Sequence, residues 1–448
     1  METIEKQIKG FFNSAGLKLA LIAFLTLLLL IPATMITELI REREQRRDET
    51  IGAVTALWGN AQTICGPVLT VPYEITEKTV DGYNTVTRYA HFLPENLKIE
   101  GSVEPELRYR GIYQVVTYTA KLHITGNFSE AGPNNLQVKT EQLQVDKALV
   151  EIGISDMRGI NQDILLHVGD SVFSVIPGVP SKELAVAGIH CEVPQSLVTS
   201  ETFEYDLDLN GSHSLSFIPV GKETNVNLTS SWNAPSFSGA FLPDIRSVAK
   251  NGFTAKWNVL QLNRNFPQQW IGDQYTMDES AFGVDLITPV DTYQKSMRSV
   301  KYAILFIGLT FLVLFFSEIL TKIRIHPVNY LLTGFAICVF YSLLTALAEH
   351  LSFTLAYLTA GVTIITMISF FAHSLYHNRK VTLTLISSLM VLYTFLFVIL
   401  QLEDYSLLFG NIGLVIILGL IMYFSRKIDW YATVGNGAKR EETVSKND

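Results

Sequence analysis

Six stretches of about twenty apolar residues constrain this chain more than any other feature. A helix rises 1.5 Å per residue and the hydrocarbon core of a bilayer is about 30 Å thick, so about twenty apolar residues suffice to cross it. The stretches are residues 17–36, 302–320, 329–348, 351–371, 381–401 and 405–424. The last five follow one another through short loops, which predicts an antiparallel bundle. The first lies far upstream and must pack back against them. Composition agrees: charged residues make up 17% and mean hydropathy is +0.26, against about 25% charged in a soluble domain. Three cysteines exclude a disulfide-dense scaffold. A net charge of −8 argues against nucleic acid as a partner.

The charge is unevenly spread. Residues 37–300 hold 32 acidic and 21 basic side chains, and the remainder holds 10 and 13. This predicts an acidic aqueous domain joined to a membrane part with basic edges. The first stretch is too long for a signal-peptide core and is followed by Thr37-Glu38-Leu39-Ile40 rather than a small-residue cleavage site. It reads as an uncleaved signal anchor. Lys6, Lys9 and Lys18 precede it. Lys322 and Arg324, then Arg379 and Lys380, then Arg426, Lys427, Lys439, Arg440 and Lys446 lie on alternate sides of the later stretches. The two intervening loops hold no Lys or Arg. By the positive-inside rule both termini are cytoplasmic and residues 37–300 are exported. Arg41, Arg43, Arg46 and Arg47 lie on the outer side, where they read as a solvated helical stalk continuing to Trp58, with Glu42 and Arg46 as an i,i+4 pair.

Residues 60–300 read as β. Phe203, Tyr205, Leu207 and Leu209 alternate with Glu204, Asp206, Asp208 and Asn210, the period of a half-buried strand. Val226 and Leu228 alternate with Asn225, Asn227 and Thr229, and 113–128 is rich in Val, Thr, Tyr and Ile. Turn signals recur at Asp81-Gly82, Ala131 to Asn135, Pro177-Gly178, Asn210-Gly211 and Asn251-Gly252. The expected fold is therefore a membrane protein of class α + β. Six transmembrane helices carry a large all-β, sandwich-like extracytoplasmic domain inserted between the first and second. The boundaries are 1–16 cytoplasmic, 17–36 first helix, 37–300 β-rich domain, 301–424 five-helix bundle and 425–448 a polar cytoplasmic tail.

Several motifs now add up. Trp58-Gly59-Asn60-Ala61-Gln62-Thr63 is followed by Gly66-Pro67-Val68-Leu69-Thr70-Val71-Pro72-Tyr73. Arg110-Gly111-Ile112-Tyr113 and Ile154-Ser155-Asp156-Met157-Arg158-Gly159-Ile160 come next, then the run from Leu262 to Trp270. Phe282-Gly283-Val284, Pro289-Val290-Asp291, Lys301-Tyr302, His326-Pro327 and Ala348-Glu349-His350 complete the set. In this order, from about residue 17 to residue 424, they resemble the CreD family. The resemblance implies a bacterial inner-membrane protein with a periplasmic domain, linked to cell-envelope integrity, stress response and colicin tolerance. It brings no catalytic motif, and the loop from His373 to Lys380 matches nothing in it.

The residues carry no P-loop, dinucleotide fingerprint, zinc-protease motif, nucleophile elbow or paired C-x-x-C. No enzyme activity, metal or cofactor is expected. Gly211-Ser212-His213 reads as part of an Asn-Gly turn rather than a catalytic serine. His373 and His377 have the spacing of a helical metal pair, but cations at a helix C-terminus are favoured by the dipole in any case. Cys65 and Cys191 share the exported domain, which leaves two readings open, a disulfide or two buried thiols. In the third stretch Gly334, Cys338, Ser342, Thr345 and Glu349 fall at spacings of four, four, three and four, an intramembrane polar face. Glu349 is either a relay carboxylate or an end-of-helix group pairing with His350 or capping the next helix. Its position favours the second. Glu318 reads as an interfacial pair with Lys322.

The expected function is non-enzymatic, with the exported β-domain contacting an unidentified envelope protein or ligand beside the lipid bilayer. The alternatives are a transporter or lipid-handling channel using the bundle, and an extracytoplasmic sensor acting through a membrane partner.

Overall fold

The computed structural model describes residues 15–79, 82–129, 136, 142–193, 202–287, 292–321, 325–402 and 405–426. Lys6, Lys9, Lys322, Arg324, the tail from Lys427 onward, the turn at 131–135 and Asp81 lie outside them. Contacts divide the chain into two compact units, Met1–Arg46 with Val290–Asp448, and Arg47–Pro289.

The first unit is helical. Its helices are α1 (Ala15–Leu28), α2 (Leu30–Trp58, which runs on into the second unit), α3 (Thr292–Lys301), α4 (Ala303–Thr321), α5 (Pro327–Ala348), α6 (Phe353–Tyr376), α7 (Arg379–Gln401) and α8 (Ser406–Ser425). Among the described residues, four helices are long and apolar enough to cross a membrane: Lys18–Trp58, Pro327–Ala348, Phe353–Tyr376 and Thr382–Gln401. Thr292–Lys301 and Ala303–Ile319 meet at 46° and make a fifth if taken together, and Leu408–Tyr423 is a shorter apolar helix. The bend falls where the polar sequence of α3, which buries Tyr293, Ser296, Ser299 and Val300, gives way to the apolar sequence of α4. The α1–α2 helix buries Ile22, Leu25, Leu29, Ala33, Ile36 and Ile40, an apolar stripe at helical spacing. The Glu42–Arg46 pair forms at 2.6 Å, and α2 continues to Trp58 as the sequence predicts.

Among the described residues, the second unit holds seventeen strands. These are β1 (Gln62–Thr79), β2 (Gly82–Phe92), β3 (Asn96–Arg110), β4 (Tyr113–Asn127), β5 (Ala148–Ile154), β6 (Leu165–Val168), β7 (Ser171–Ser174), β8 (Ile176–Pro177) and β9 (Gly188–Val193). They continue as β10 (Thr202–Ser212), β11 (Ser214–Ile218), β12 (Glu223–Ser230), β13 (Pro235–Gly239), β14 (Ile245–Ala249), β15 (Gly252–Leu260), β16 (Gln269–Ile271) and β17 (Phe282–Leu286). One sheet runs β13-β17-β11-β1-β5-β9-β8, with β2 on β1 and β16 on β2. The other runs β14-β15-β12-β3-β4-β10-β6-β7. Most pairs are antiparallel, but β1 with β11 and β12 with β3 are parallel. Both sheets contribute to one hydrophobic core, including Leu69, Ile99, Ile124, Leu207 and Trp257.

The alternation read in β10 is real, with Phe203, Tyr205 and Leu207 buried between exposed neighbours. One turn is corrected. Asn210-Gly211 does not turn; it continues β10, and the chain bends at His213, whose φ is +62°, where it passes from the eight-stranded sheet to β11 of the other. Asn210 is held by side-chain bonds with Asn161 and Thr119. Gly211 is there for close approach, since a Cβ would stand 2.3 Å from the Tyr118 hydroxyl.

Candidate functional site

In the bundle, the predicted polar face is a packing face. A Cβ at Gly334 would stand 2.1 Å from Leu29 Cδ1 and 2.9 Å from Phe311, so the glycine lets the first helix seat against α5. The Cys338 thiol faces the Leu29 carbonyl at 3.9 Å. Thr345 donates to its own helix at Tyr341 O, 2.9 Å away, and Ser342 is half-buried. Glu349 follows α5 as its C-cap residue. It accepts a bond from Tyr293 Oη at 3.0 Å and pairs with Arg43 at 3.8 Å. His350 is not its partner here, and Arg43, expected to be merely solvated, is.

Glu318 is the more deeply engaged carboxylate. It is 5% exposed, and it accepts from Lys18 Nζ at 2.5 Å, Tyr330 Oη at 3.1 Å and the Ile325 amide at 3.2 Å. Among the described residues its cation is Lys18 of the first helix; Lys322, the partner expected from sequence, lies outside them. The two carboxylates therefore tie Lys18 and Arg43, near opposite ends of the membrane part of the first helix, to the rest of the bundle.

In the sandwich, two of the resemblance motifs, residues 58–63 and 154–160, meet at the end of α2. Gln62 is fully buried. It donates to Asp156 O and Asn210 O, both at 2.9 Å, and accepts from the Asp156 amide at 3.1 Å. Asp156 accepts from the Asn60 amide and from Arg158. Arg158 also donates to Ala56 O in the last turn of α2, where a cation answers the helix dipole. Gly59, at φ +145°, ends the helix against Asn210 O. Trp58 donates to Tyr118 O, and the Arg108 guanidinium stacks over its ring at 3.5 Å. The hydrogen-bonded Arg158 guanidinium, outweighing burial, holds the Asp156 carboxyl at about 2.

A second cluster escaped sequence reasoning. Thr70, His91 and Trp270 are cross-strand partners on β1, β2 and β16, and Glu151 lies beside Thr70 on β5. Thr70 Oγ1 contacts Glu151 at 2.7 Å and His91 Nδ1 at 3.1 Å, while His91 Nε2 contacts Glu183 at 2.9 Å. Ser181 gives Glu151 both its amide and its hydroxyl. Trp270 packs on the imidazole at 5.1 Å. Thr70, His91 and Glu151 are at most 1% exposed. The readable signal was an acidic residue inside Ala148-Leu149-Val150-Glu151-Ile152-Gly153-Ile154, a strand buried at every position. Nearby, Arg264 is buried among the carbonyls of Phe266, Pro267 and Val220 and the Gln268 amide oxygen. Burial brings it down to about 10.

Cys65 and Cys191 are free thiols, so the disulfide reading is corrected. Cys65 pairs with Gly153 on one side of β5 and Cys191 with Val150 on the other. Two strand spacings of about 4.8 Å and a three-residue offset separate them, well beyond the ~7 Å Cα limit of a disulfide. Burial pushes the thiols up to about 12 and about 11. His377 leaves α6 in the left-handed conformation and does not continue its helical register with His373. Among the described residues, no group of three His, Cys, Asp or Glu side chains is arranged to hold a metal ion.

One face of the eight-stranded sheet is polar and grooved. Cross-strand rows Asn225–Lys98–Thr125–Glu204, Asn227–Glu100–His123–Asp206 and Thr229–Ser102–Lys121–Asp208 line it. Open grooves of about 380, 430 and 450 Å³ run along these rows. His123 contacts Asp206 at 2.8 Å.

A family model described as "Inner membrane protein CreD" matches residues 14–431. The protein of that name from Escherichia coli (strain K12) is 32% identical over 430 residues, covering 94% of this chain and 95% of its own length.

Proposed function

Since the chain belongs to the CreD family of inner membrane proteins, we propose that it supports cell-envelope integrity without enzymatic chemistry, through its β-domain. In this reading six helices span the membrane, both termini are cytoplasmic, and the domain of residues 37–300 is periplasmic. The bundle of 301–424 serves as an anchor. The observation that carries the reading is a contrast in how polar groups are used. Both bundle carboxylates, Glu318 and Glu349, are engaged in bonds that tie the first helix down. The polar rows of the eight-stranded sheet stand open along grooves large enough for a partner's side chains.

The test is charge reversal on that face. Lys121→Glu combined with Asp206→Lys should leave the protein folded and membrane-inserted while removing its effect on detergent and colicin sensitivity. Unchanged sensitivity would move the working part elsewhere. A periplasm-active reporter fused after Trp232 should be active, and one after Lys380 silent. The reverse pattern overturns the topology.

A further inference from the structure

The buried polar cluster of the nine-stranded sheet contains more hydrogen bonds than its groups have hydrogens. Four side-chain contacts run in series: Ser181 to Glu151 at 2.8 Å, Thr70 to Glu151 at 2.7 Å, Thr70 to His91 Nδ1 at 3.1 Å, and His91 Nε2 to Glu183 at 2.9 Å. Each needs one hydrogen between its two heavy atoms. Two carboxylates supply none, the two hydroxyls supply one each, and a neutral imidazole supplies one. The fourth hydrogen has to be an added proton. We propose that the sandwich binds one proton in this chain, shared among Glu151, Thr70, His91 and Glu183, and that its loss releases the 175–187 segment from the sheet.

The proton has three places to rest. It can make His91 an imidazolium, donating to Thr70 and Glu183. It can sit on Glu183, donating to Nε2 while Nδ1–H donates to Thr70. It can also sit on Glu151, with Thr70 then turned to donate to Nδ1 and Nε2–H donating to Glu183. All three satisfy every contact. With the proton gone, one contact must set two acceptors against each other. Glu151 is 1% exposed and cannot turn away. The Glu183 side chain is 16% exposed and can turn to water, taking its segment with it.

The titratable neighbours are Cys65 and Tyr73 from β1, Arg88 and Tyr89 from β2, His190 opposite Glu151 on β9, Lys182 in the segment and Asp278. Burial raises Cys65, Tyr73 and Tyr89, so these stay neutral across the range at issue.

The sign follows from linkage. Above about pH 6.5 an exposed imidazole is neutral, so the folded chain holds one proton more than the unfolded chain. Stability is full below that pH. It falls as pH rises, by up to about tenfold in the folding equilibrium per pH unit, until the folded chain gives the proton up. This inference concerns the sandwich alone and does not depend on its compartment or on the proposed role.

The experiment uses the purified full-length protein in detergent. Unfolding of the sandwich is followed by tryptophan fluorescence from pH 6 to 8.5, for wild type and Glu183→Gln. The introduced amide can donate to a neutral imidazole and so fills the fourth contact without a proton. The wild type should show a one-proton-steeper loss of stability than the variant, with the two similar at pH 6. Hydrogen exchange within 175–187, corrected for intrinsic rates, should rise with pH in the wild type alone. Equal slopes in the two proteins overturn the proposal. So does pH-independent protection of 175–187 in the wild type, a result that stands even if the variant does not fold.

Discussion

The sandwich and the bundle bury polar groups by different rules. In the sheets, backbone groups are already paired between strands, so a buried carboxylate must find side chains and loop amides. Glu151 does so with Thr70 and Ser181, and Asp156 with Asn60 and Arg158. In the bundle, hydroxyls borrow their own helix instead. Thr310, Ser317, Thr333 and Thr345 each donate to a carbonyl four residues back. Ties between helices then come from a few charged groups near helix ends and from isolated bonds such as Tyr357 Oη to the Tyr393 carbonyl at 2.8 Å. A sheet core holds its polar groups as connected networks, and a helical bundle holds most of its hydroxyls one by one. Damage should spread further in the first than in the second.

The largest expected effect is in the shared core. Trp257 is 2% exposed and packs edge-on against Phe237 and at a tilt against Phe282. Trp257→Ala should cost about 3–5 kcal/mol and lower the sandwich's melting temperature without displacing the bundle from the membrane. Next is Asp156→Ala, which orphans the Asn60 amide and Arg158. A loss of about 3 kcal/mol is expected, read by denaturant unfolding. Because the carboxyl sits at about 2, its contribution is present above about pH 4. It is lost as pH falls toward about 2, so variant and wild type should converge in acid.

For the bundle, Glu318→Ala should cost about 2 kcal/mol, leaving Lys18 and Tyr330 without their acceptor. Crosslinks between the first helix and α5 should become less frequent. If this variant destabilises more than Asp156→Ala, the comparison fails. Smaller still is Glu349→Gln. The amide keeps an acceptor for Tyr293 and loses only a long pair to a 42%-exposed Arg43, worth under about 1 kcal/mol. Envelope phenotypes should stay near wild type at normal protein levels, and a null phenotype would favour a relay in the bundle. The smallest effect is none at all: reductant should not change thiol labelling of Cys65 or Cys191, since both are free and protonated.

What could be read in the sequence was what depends on neighbours in sequence. The apolar stretches give helices, and alternation gives β10 and β12. The stalk to Trp58 follows from a charged helical pattern. What could not be read depends on register. Lys18 meets Glu318 across 300 residues, and His91 meets Glu183 across 92. The Asn210-Gly211 pair carries a strong turn signal, yet the Asn161 and Thr119 side chains and the Tyr118 ring hold it in a strand. Cys65 and Cys191 share a domain, and only the strand order shows β5 between them.

The parallel pairing of β1 with β11 has a consequence for how the molecule is made. Gln62 finds its partner at Leu215, about 150 residues later, which ribosomes emitting about 5–20 residues per second deliver some 8–30 s afterwards. Throughout that interval the 62–65 end of that edge of β1 lacks its partner, while β2 covers the edge from Leu69 on, and the open end is a template for any passing strand. Newborn chains should therefore depend on holding factors until β11 emerges, and a fragment ending before Ser214 should aggregate although it contains ten of the seventeen described strands.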